Sequence, residues 1–316
     1  MDKKNILITY DVPDWAYHKN AKVLKKFLNP KKYDIDIVSD QNKNDIIKFL
    51  SVKKYDMLFL QWVPDLEIFT KYIKFPEGYN CKVVSQVTSE VFFRMYNKGW
   101  REYQSAPLLV TKSQQYFKKL ESVYDTNKIR LAYHVNDYNL FSPFELGKSH
   151  RLFKKDKSKF RVGYVGRDCA IANENKGHFF IRDACKLLWD KVEYVVAGFD
   201  NRLSYNDMPD FYKSLDVVVC ASNHEGAPNS MLEAGLCGVP IITTRVGQIQ
   251  EMIEDNTSGL FCERNALSIK EKIEKLMYNE DLYDRISINI GNISKEWALK
   301  AIDQWECFFD EVLKIE

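Results

Sequence analysis

Apolar positions along this chain come in two rhythms. Short runs in which nearly every residue is apolar, closed at both ends by polar residues, alternate with longer stretches whose apolar residues recur at helical spacing. The first kind reads as strands buried on both faces, the second as helices that cover them. In the first half of the chain the pattern predicts strands over 6–10, 56–62, 81–87, 107–111 and 128–135, with amphipathic helix in Ala21–Leu28 and Gln114–Leu120. In the second half it predicts strands over 160–166, 193–198, 216–222 and 239–244, with helices over 177–190, 227–237 and 266–278. Such alternation makes an α/β protein with parallel sheets. The stretch 142–161 is lysine-rich and keeps neither period, so it reads as a crossover between two domains. The expected organisation is a first Rossmann-like domain over 1–145, a linker over 146–160 and a second Rossmann-like domain over 161–292. A C-terminal helix over 293–316 carries Trp297, Leu299, Trp305, Phe308, Phe309 and Val312, and is expected to cross back to the first domain. Open parallel sheets bind ligands beyond the carboxyl ends of their strands, so the two domains are expected to face a central cleft.

Composition narrows the class. A chain of 316 residues is long enough for about two cores of ordinary size. No apolar run approaches the roughly 18 residues that a membrane span needs. The start, MDKKNILITYDVP, is too briefly apolar for a secretory signal and reads as a first buried strand. Seven cysteines are scattered without a C-x-x-C pair, which favours a reducing, cytoplasmic setting, and neither they nor the five histidines show metal-ligand spacing. No bound metal, cofactor or nucleic-acid partner is expected. The small net charge of +2 hides an asymmetry, because residues 1–150 carry 24 Lys and Arg against 17 Asp and Glu. That excess has two readings of similar weight, solvated helix faces or a peripheral contact with anionic membrane at its inner face.

The chemistry lies just after the strands of the second half. Asp216–Ser222 is followed by HEGAPNSMLEAG, which places Glu225 on a loop and Glu233 inside the next helix. A helix N-terminus at Asn229, Ser230 and Met231 offers free N–H groups and partial positive charge, a seat for phosphate. Taken alone, two acidic residues near a helix start are more often structural than functional. Their neighbours shift the balance. Gly166 and Arg167 follow one strand and Lys176 opens the next helix, so that backbone and two cations can approach a diphosphate. Gly198 and Phe199 close another strand and suit a nucleobase pocket.

With these residues in view, the segment 208–261 resembles the donor half of the family 4 glycosyltransferases, retaining enzymes of the GT-B fold. The resemblance rests on the E-x7-E element at Glu225 and Glu233, GVP at 238–240, Val246, Gly247 and Glu251, and N-x-SGL at Asn256–Leu260. It extends over roughly 160–262, and HVNDYNLFSP (134–143) is similar to the segment that ends the acceptor domain. The resemblance implies metal-independent transfer of a sugar from a nucleoside-diphosphate sugar to a saccharide or lipid-linked acceptor, in surface polysaccharide or glycoconjugate synthesis. It also implies roles. Arg167 and Lys176 would hold the diphosphate, Glu225 the sugar hydroxyls, Glu233 the ribose, and the amides of Asn229, Ser230 and Met231 the distal phosphate.

The chain also departs from the pattern. A glycine pair common after the family's first strand is replaced by Tyr10–His18, which makes Asp11, Trp15 and His18 acceptor candidates. Where many members carry a histidine, this chain has Ser85–Glu90, and Thr88 or Glu90 is the candidate there, Thr88 as an acceptor contact. Two other readings stay open: a non-hydrolysing sugar-nucleotide epimerase, and a non-catalytic sugar-nucleotide or glycan-binding protein.

Overall fold

The computed structural model describes residues 2–61, 80–87, 93, 108–153, 158–166, 174–198 and 203–315. The chain divides into two compact units, Met1–Val135 with Leu299–Glu316, and Asn136–Ala298.

The first unit holds β1 (Lys4–Tyr10), α1 (Ala16–Phe27), β2 (Tyr33–Ser39), α2 (Lys43–Val52), β3 (Met57–Leu60), β4 (Lys82–Val87), β5 (Leu108–Thr111), α3 (Gln114–Glu121) and β6 (Ile129–Leu131). Its sheet runs β2-β1-β3-β4-β5-β6. Every described ladder in it is parallel, with Ile6 beside both Ile35 and Met57. The central strands are apolar on both faces, and Ile6, Leu7, Ile8 and Met57–Leu60 are wholly buried. The edge strand β2 has no counterpart among the expected strands. In YDIDIVS the apolar residues alternate with aspartates instead of forming a run. Lys53 reaches across that outer face to Asp34 at 2.7 Å and Asp36 at 2.8 Å. The strand expected over 128–135 is shorter than its apolar run, since pairing stops at Leu131 while Ala132–Val135 stay buried in irregular backbone.

The second unit holds β7 (Phe160–Val165), α4 (His178–Lys186), β8 (Val192–Ala197), α5 (Met208–Lys213), β9 (Val217–Cys220), α6 (Asn229–Leu236), β10 (Ile241–Thr243), α7 (Ile249–Met252), β11 (Leu260–Phe261), α8 (Ala266–Met277) and α9 (Glu280–Leu313). Its sheet runs β11-β10-β9-β7-β8, again parallel. Alternation along β9 sorts the core into two layers. Val218 and Cys220 face Met231, Leu232 and Tyr212, whereas Val217 and Val219 face Ile181, Ile269 and Ile286. The lysine-rich stretch expected as a linker is partly built into this unit. His150 is 3% exposed, its amide donates to Ser287 Oγ at 2.8 Å, and Arg151 pairs with Asp284 at 2.8 Å. The division between units accordingly falls between Val135 and Asn136, before the expected boundary at 145.

The 34-residue helix α9 begins in the second unit, and from Leu299 onward it belongs to the first. There Trp305 is fully buried, donates its indole N–H to Tyr133 O at 2.8 Å and packs on Phe59. Phe309 meets the edges of Tyr33 and Phe59, Tyr33 Oη donates to Asp310, and Lys32 pairs with Asp310 at 2.7 Å. The aromatic residues of the tail thus form part of the first core. Among the described residues no helix is long and apolar enough to cross a membrane.

One buried pair gives this unit a pH signature. Lys112, next after β5, is 3% exposed, and its Nζ lies 2.7 Å from His134 Nδ1. Burial pulls the ammonium down to about 7. The unfolded chain, with lysine near 10.4, therefore binds more protons than the folded one between about pH 7 and 10. Stability rises with pH across that window. Denaturant unfolding of the wild type and Lys112→Met at pH 7.5 and 9.5 is expected to show the wild type gaining roughly 2 to 3 kcal/mol on the variant. Parallel changes in both proteins would place the Lys112 titration elsewhere.

Candidate functional site

The carboxyl end of β9 runs into Ala221, Ser222 and a loop that carries Glu225 to the start of α6. Glu225 is pinned through one oxygen. Ser222 Oγ donates to its Oε1 at 2.7 Å and Lys176 Nζ donates to the same atom at 2.6 Å. The Glu225 side chain is 13% exposed and that of Lys176 36%, so the pair stands half in solvent at the mouth of the strand. The two residues come together through the backbone beside them. Asn175 Oδ1 accepts from His224 N at 3.2 Å, Asn175 Nδ2 donates to His224 O at 3.2 Å, and Asn223 N donates to Asn175 O at 2.7 Å.

Two glycines allow that closeness. Gly177 has φ of +65°, and a Cβ there would lie 2.3 Å from Ala221 O. Gly247 has φ of +49°, and its Cβ would lie 2.4 Å from Gly226 O. Behind them Thr244 Oγ1 donates to Ser222 O at 2.6 Å and Gln248 N to Gly226 O at 2.9 Å. Arg264 donates to Ala221 O at 3.0 Å and also to Glu174 O. Three loops from separate strands are tied into one rigid rim.

Beside the rim stands the N-terminus of α6. Its cap residue is Pro228, which supplies no side-chain hydrogen bond. The helix then presents Asn229 and Ser230, both partly exposed, at the end where amides lack intrahelical acceptors. One turn on, Glu233 is 5% exposed, and Tyr212 Oη donates to its Oε2 at 2.7 Å. A buried carboxylate needs such a partner, because an unpaired charge in the core costs several kcal/mol. Burial first, and then the Glu233 charge, push the Tyr212 phenol well above its ordinary value.

The structure gathers part of the residue set expected from sequence. Lys176, Glu225, Glu233, Asn229, Ser230 and Met231 share the β9–α6 corner. Gly166, at φ +151°, and Gly198 end the neighbouring strands β7 and β8. Arg167 and Phe199 lie outside the described residues, as do Thr88 and Glu90. Asp11, Trp15 and His18 belong to the first unit. There the Asp11 Oδ1 atom is buried without a hydrogen-bond partner among the described residues, and Trp15 occupies the cap position of α1. His18 stacks on Tyr10 with ring centroids 4.0 Å apart and accepts from Asp14 N at 2.8 Å. Burial, then the Lys22 charge, lower its pKa, against the opposing pull of Asp14. Sequence reading missed Ser222, Asn175, Tyr212 and Arg264, and the partners of the last three are remote in the chain. Only Ser222, three residues before Glu225, carried a local signal.

Known proteins resemble the chain in sequence and in fold. Residues 198–292 match the family described as Glycosyl transferases group 1. The capsular polysaccharide biosynthesis glycosyltransferase CapM of Staphylococcus aureus is 35% identical over 167 residues, 45% of this chain and 42% of that protein. The N-acetyl-alpha-D-glucosaminyl L-malate synthase of Bacillus anthracis is 30% identical over 106 residues, 31% of this chain and 27% of that one. The matched segments thus span less than half the length of these relatives. Over the whole chain, the Anabaena HepE structure in complex with UDP and glucose superposes with a TM-score of 0.72 at 13% identity, covering 96% of this chain and 99% of that one. The sucrose-phosphate synthase of Thermosynechococcus elongatus superposes at 0.75 with 12% identity, covering 99% and 100%. The two parallel-sheet α/β units have the fold of GT-B glycosyltransferase structures.

The rim geometry is open to a stability test. Gly177→Ala combines positive φ with a backbone clash at Ala221, and is expected to cost about 2 kcal/mol or more. Gly147 also has positive φ (+76°), but nothing lies within 4 Å of its added Cβ, so Gly147→Ala is expected to cost about 1 kcal/mol. Equal losses in denaturant unfolding would mean that the close approach of Gly177 to Ala221 has no energetic weight.

Proposed function

We propose that this protein is a retaining, metal-independent glycosyltransferase of family 4 type. It moves a sugar from a nucleoside-diphosphate sugar to a hydroxyl of a saccharide or lipid-linked acceptor, in polysaccharide or glycoconjugate synthesis. The observation that carries the reading is the β9–α6 corner. There a half-exposed lysine–glutamate pair, a helix N-terminus and a buried glutamate adjoin one another in a segment similar to known glycosyltransferases. These are the elements a sugar diphosphate needs: cationic charge and amides for phosphate, carboxylates for hydroxyls on either side of it. The similar HepE structures, in complex with UDP and glucose and with UDP-glucose, support a donor of this class.

In this reading the donor diphosphate seats at Asn229 and Ser230 and is held by Lys176, with Arg167 in the diphosphate-binding role that the family resemblance implies. Glu225 takes hydroxyls of the sugar and Glu233 those of the ribose. The bond from the anomeric carbon to the distal phosphate oxygen breaks as the acceptor oxygen attacks from the same face. The acceptor proton passes to the departing phosphate. Negative charge grows on the leaving diphosphate, and fixed cations stabilise it more in the transition state than in the ground state. Lys176 is already oriented by Glu225 and needs little reorganisation. Two cations supply the charge that a divalent ion would otherwise bring, so chelator is expected to leave the rate unchanged.

The test is release of nucleoside diphosphate from a panel of sugar nucleotides offered with saccharide and lipid-linked acceptors. Lys176→Ala and Arg167→Ala are each expected to lower kcat by roughly a hundredfold, about 3 kcal/mol. Glu225→Ala is expected to lower kcat/KM for the donor by a similar factor. Full activity in folded variants would sink the site assignment, and chelator-sensitive turnover would sink the metal-independent mechanism.

A further inference from the structure

Glu233 sits where a carboxylate is least at ease, inside α6 with Met231, Leu232, Ala234 and Leu236 buried beside it. It is 5% exposed. Its fixed partner comes from α5, where Tyr212 is fully buried and donates to Oε2 at 2.7 Å. The Tyr212 ring is itself held. Phe141, also fully buried, meets it nearly edge-on at 6.0 Å, and Phe211 does so at 5.8 Å. Phe141 is braced in turn by Tyr205 at 5.3 Å. A ring with two aromatic neighbours in a close-packed core has one available orientation, so its hydroxyl marks a fixed point in space. The hydroxyl donates to Oε2 of a carboxylate whose two oxygens can both accept.

We propose that Tyr212 is the positioning residue that fixes the rotamer of Glu233 against ribose hydroxyls, so that preference for a ribonucleotide over its deoxy form depends on the Tyr212 hydroxyl. The inference rests on the reading of Glu233 as the ribose contact. Two features of the site separate it from a purely structural role. The phenol remains protonated, and therefore a donor, far above neutral pH, because burial and the Glu233 charge both oppose its ionisation. The bond is also charge-assisted and runs from a fully buried phenol to a carboxylate only 5% exposed, conditions under which one hydrogen bond holds a carboxylate against competing solvent. Deleting the hydroxyl removes the donor that α5 aims at Oε2 and loosens the placement of that oxygen. That loss reaches only a ligand group that Glu233 contacts.

The experiment is calorimetric binding of nucleoside diphosphates to the full chain, first UDP, ADP, GDP and CDP to find the preferred base. That ribonucleotide is then compared with its 2′,3′-dideoxy form, in the wild type and in Tyr212→Phe. Tyr212→Phe is expected to weaken the ribonucleotide about tenfold and the dideoxy form by less than about twofold. In turnover, KM for the donor rises with that loss while kcat stays within about twofold. An equal loss for both nucleotides assigns Tyr212 to the core alone and overturns the proposal, as does no loss for either. Wild-type protein that binds no nucleoside diphosphate overturns the donor-site reading and this inference with it. Wild-type binding without ribose preference overturns only the Glu233 contact and the inference built on it. Circular dichroism checks folding, and Tyr212→Met, which fills the volume without a donor, repeats the comparison. A chain that folds with neither side chain makes Tyr212 a stability residue and refutes its positioning role.

Discussion

The second unit is organised by the need to keep a carboxylate inside an apolar core. Glu233 lies on the inner face of α6, among residues that face β9 and β10. Desolvating an ion without a partner costs more than most single contacts return, so the fold must present a donor at a fixed place. Tyr212 meets that demand, and the requirement propagates. A tyrosine that aims its hydroxyl at one atom needs its ring clamped, and Phe141 and Phe211 provide the clamp. Met208, Tyr212 and Leu215 join the same layer of core. Packing here serves the position of one polar group as much as it serves burial.

The rim above this core follows a different rule. Glu225 is held by Ser222 from its own loop and by Lys176 from a second, while Thr244 and Gln248 tie in a third, so that loops from three strands lie within van der Waals distance of one another. Backbone can approach backbone that closely only where no Cβ intervenes, which is why Gly177 and Gly247 both sit at positive φ against carbonyl oxygens of the β9 loop. The carbonyls brought inward are satisfied by side chains from outside, Thr244 for Ser222 and Arg264 for Ala221. Rigidity at the rim therefore comes from tertiary hydrogen bonds rather than from secondary structure. This suits a site that must hold cations and carboxylates in place before any ligand arrives.

How far these features were legible in the sequence depends on whether they are local. Strands buried on both faces announce themselves as apolar runs, so the core strands of both sheets were readable. The edge strand β2 was not, because its aspartates break the run and Lys53, which answers them, is distant in sequence. Glu225 and Glu233 were readable because one strand–loop–helix unit fixes both. Lys176 was readable by its place after a strand, but its bond to Glu225 spans 49 positions and left no spacing to notice. Tyr212 looks like any core aromatic until its hydroxyl is seen to have a target. His150 was hidden by the lysines around it, and its stretch read as linker although the ring is buried. A residue whose role is set by a partner far along the chain carries no signature in its own neighbourhood.

The lysine–glutamate pair has one further consequence for the electrostatics of the site. An ion pair half open to solvent adds little stability, since screening and side-chain entropy offset the attraction. Its value here lies in geometry. Lys176 Nζ and Ser222 Oγ converge on the same carboxylate oxygen, so the ammonium is held at one bond length from a fixed point on the rim. An arriving anion need not displace it. The charge of the ammonium acts on any anion that reaches the rim. The second negative group then lies close to the first across a shared cation. An anion drawn to this ammonium is held less tightly than by a bare lysine, because Glu225 repels it.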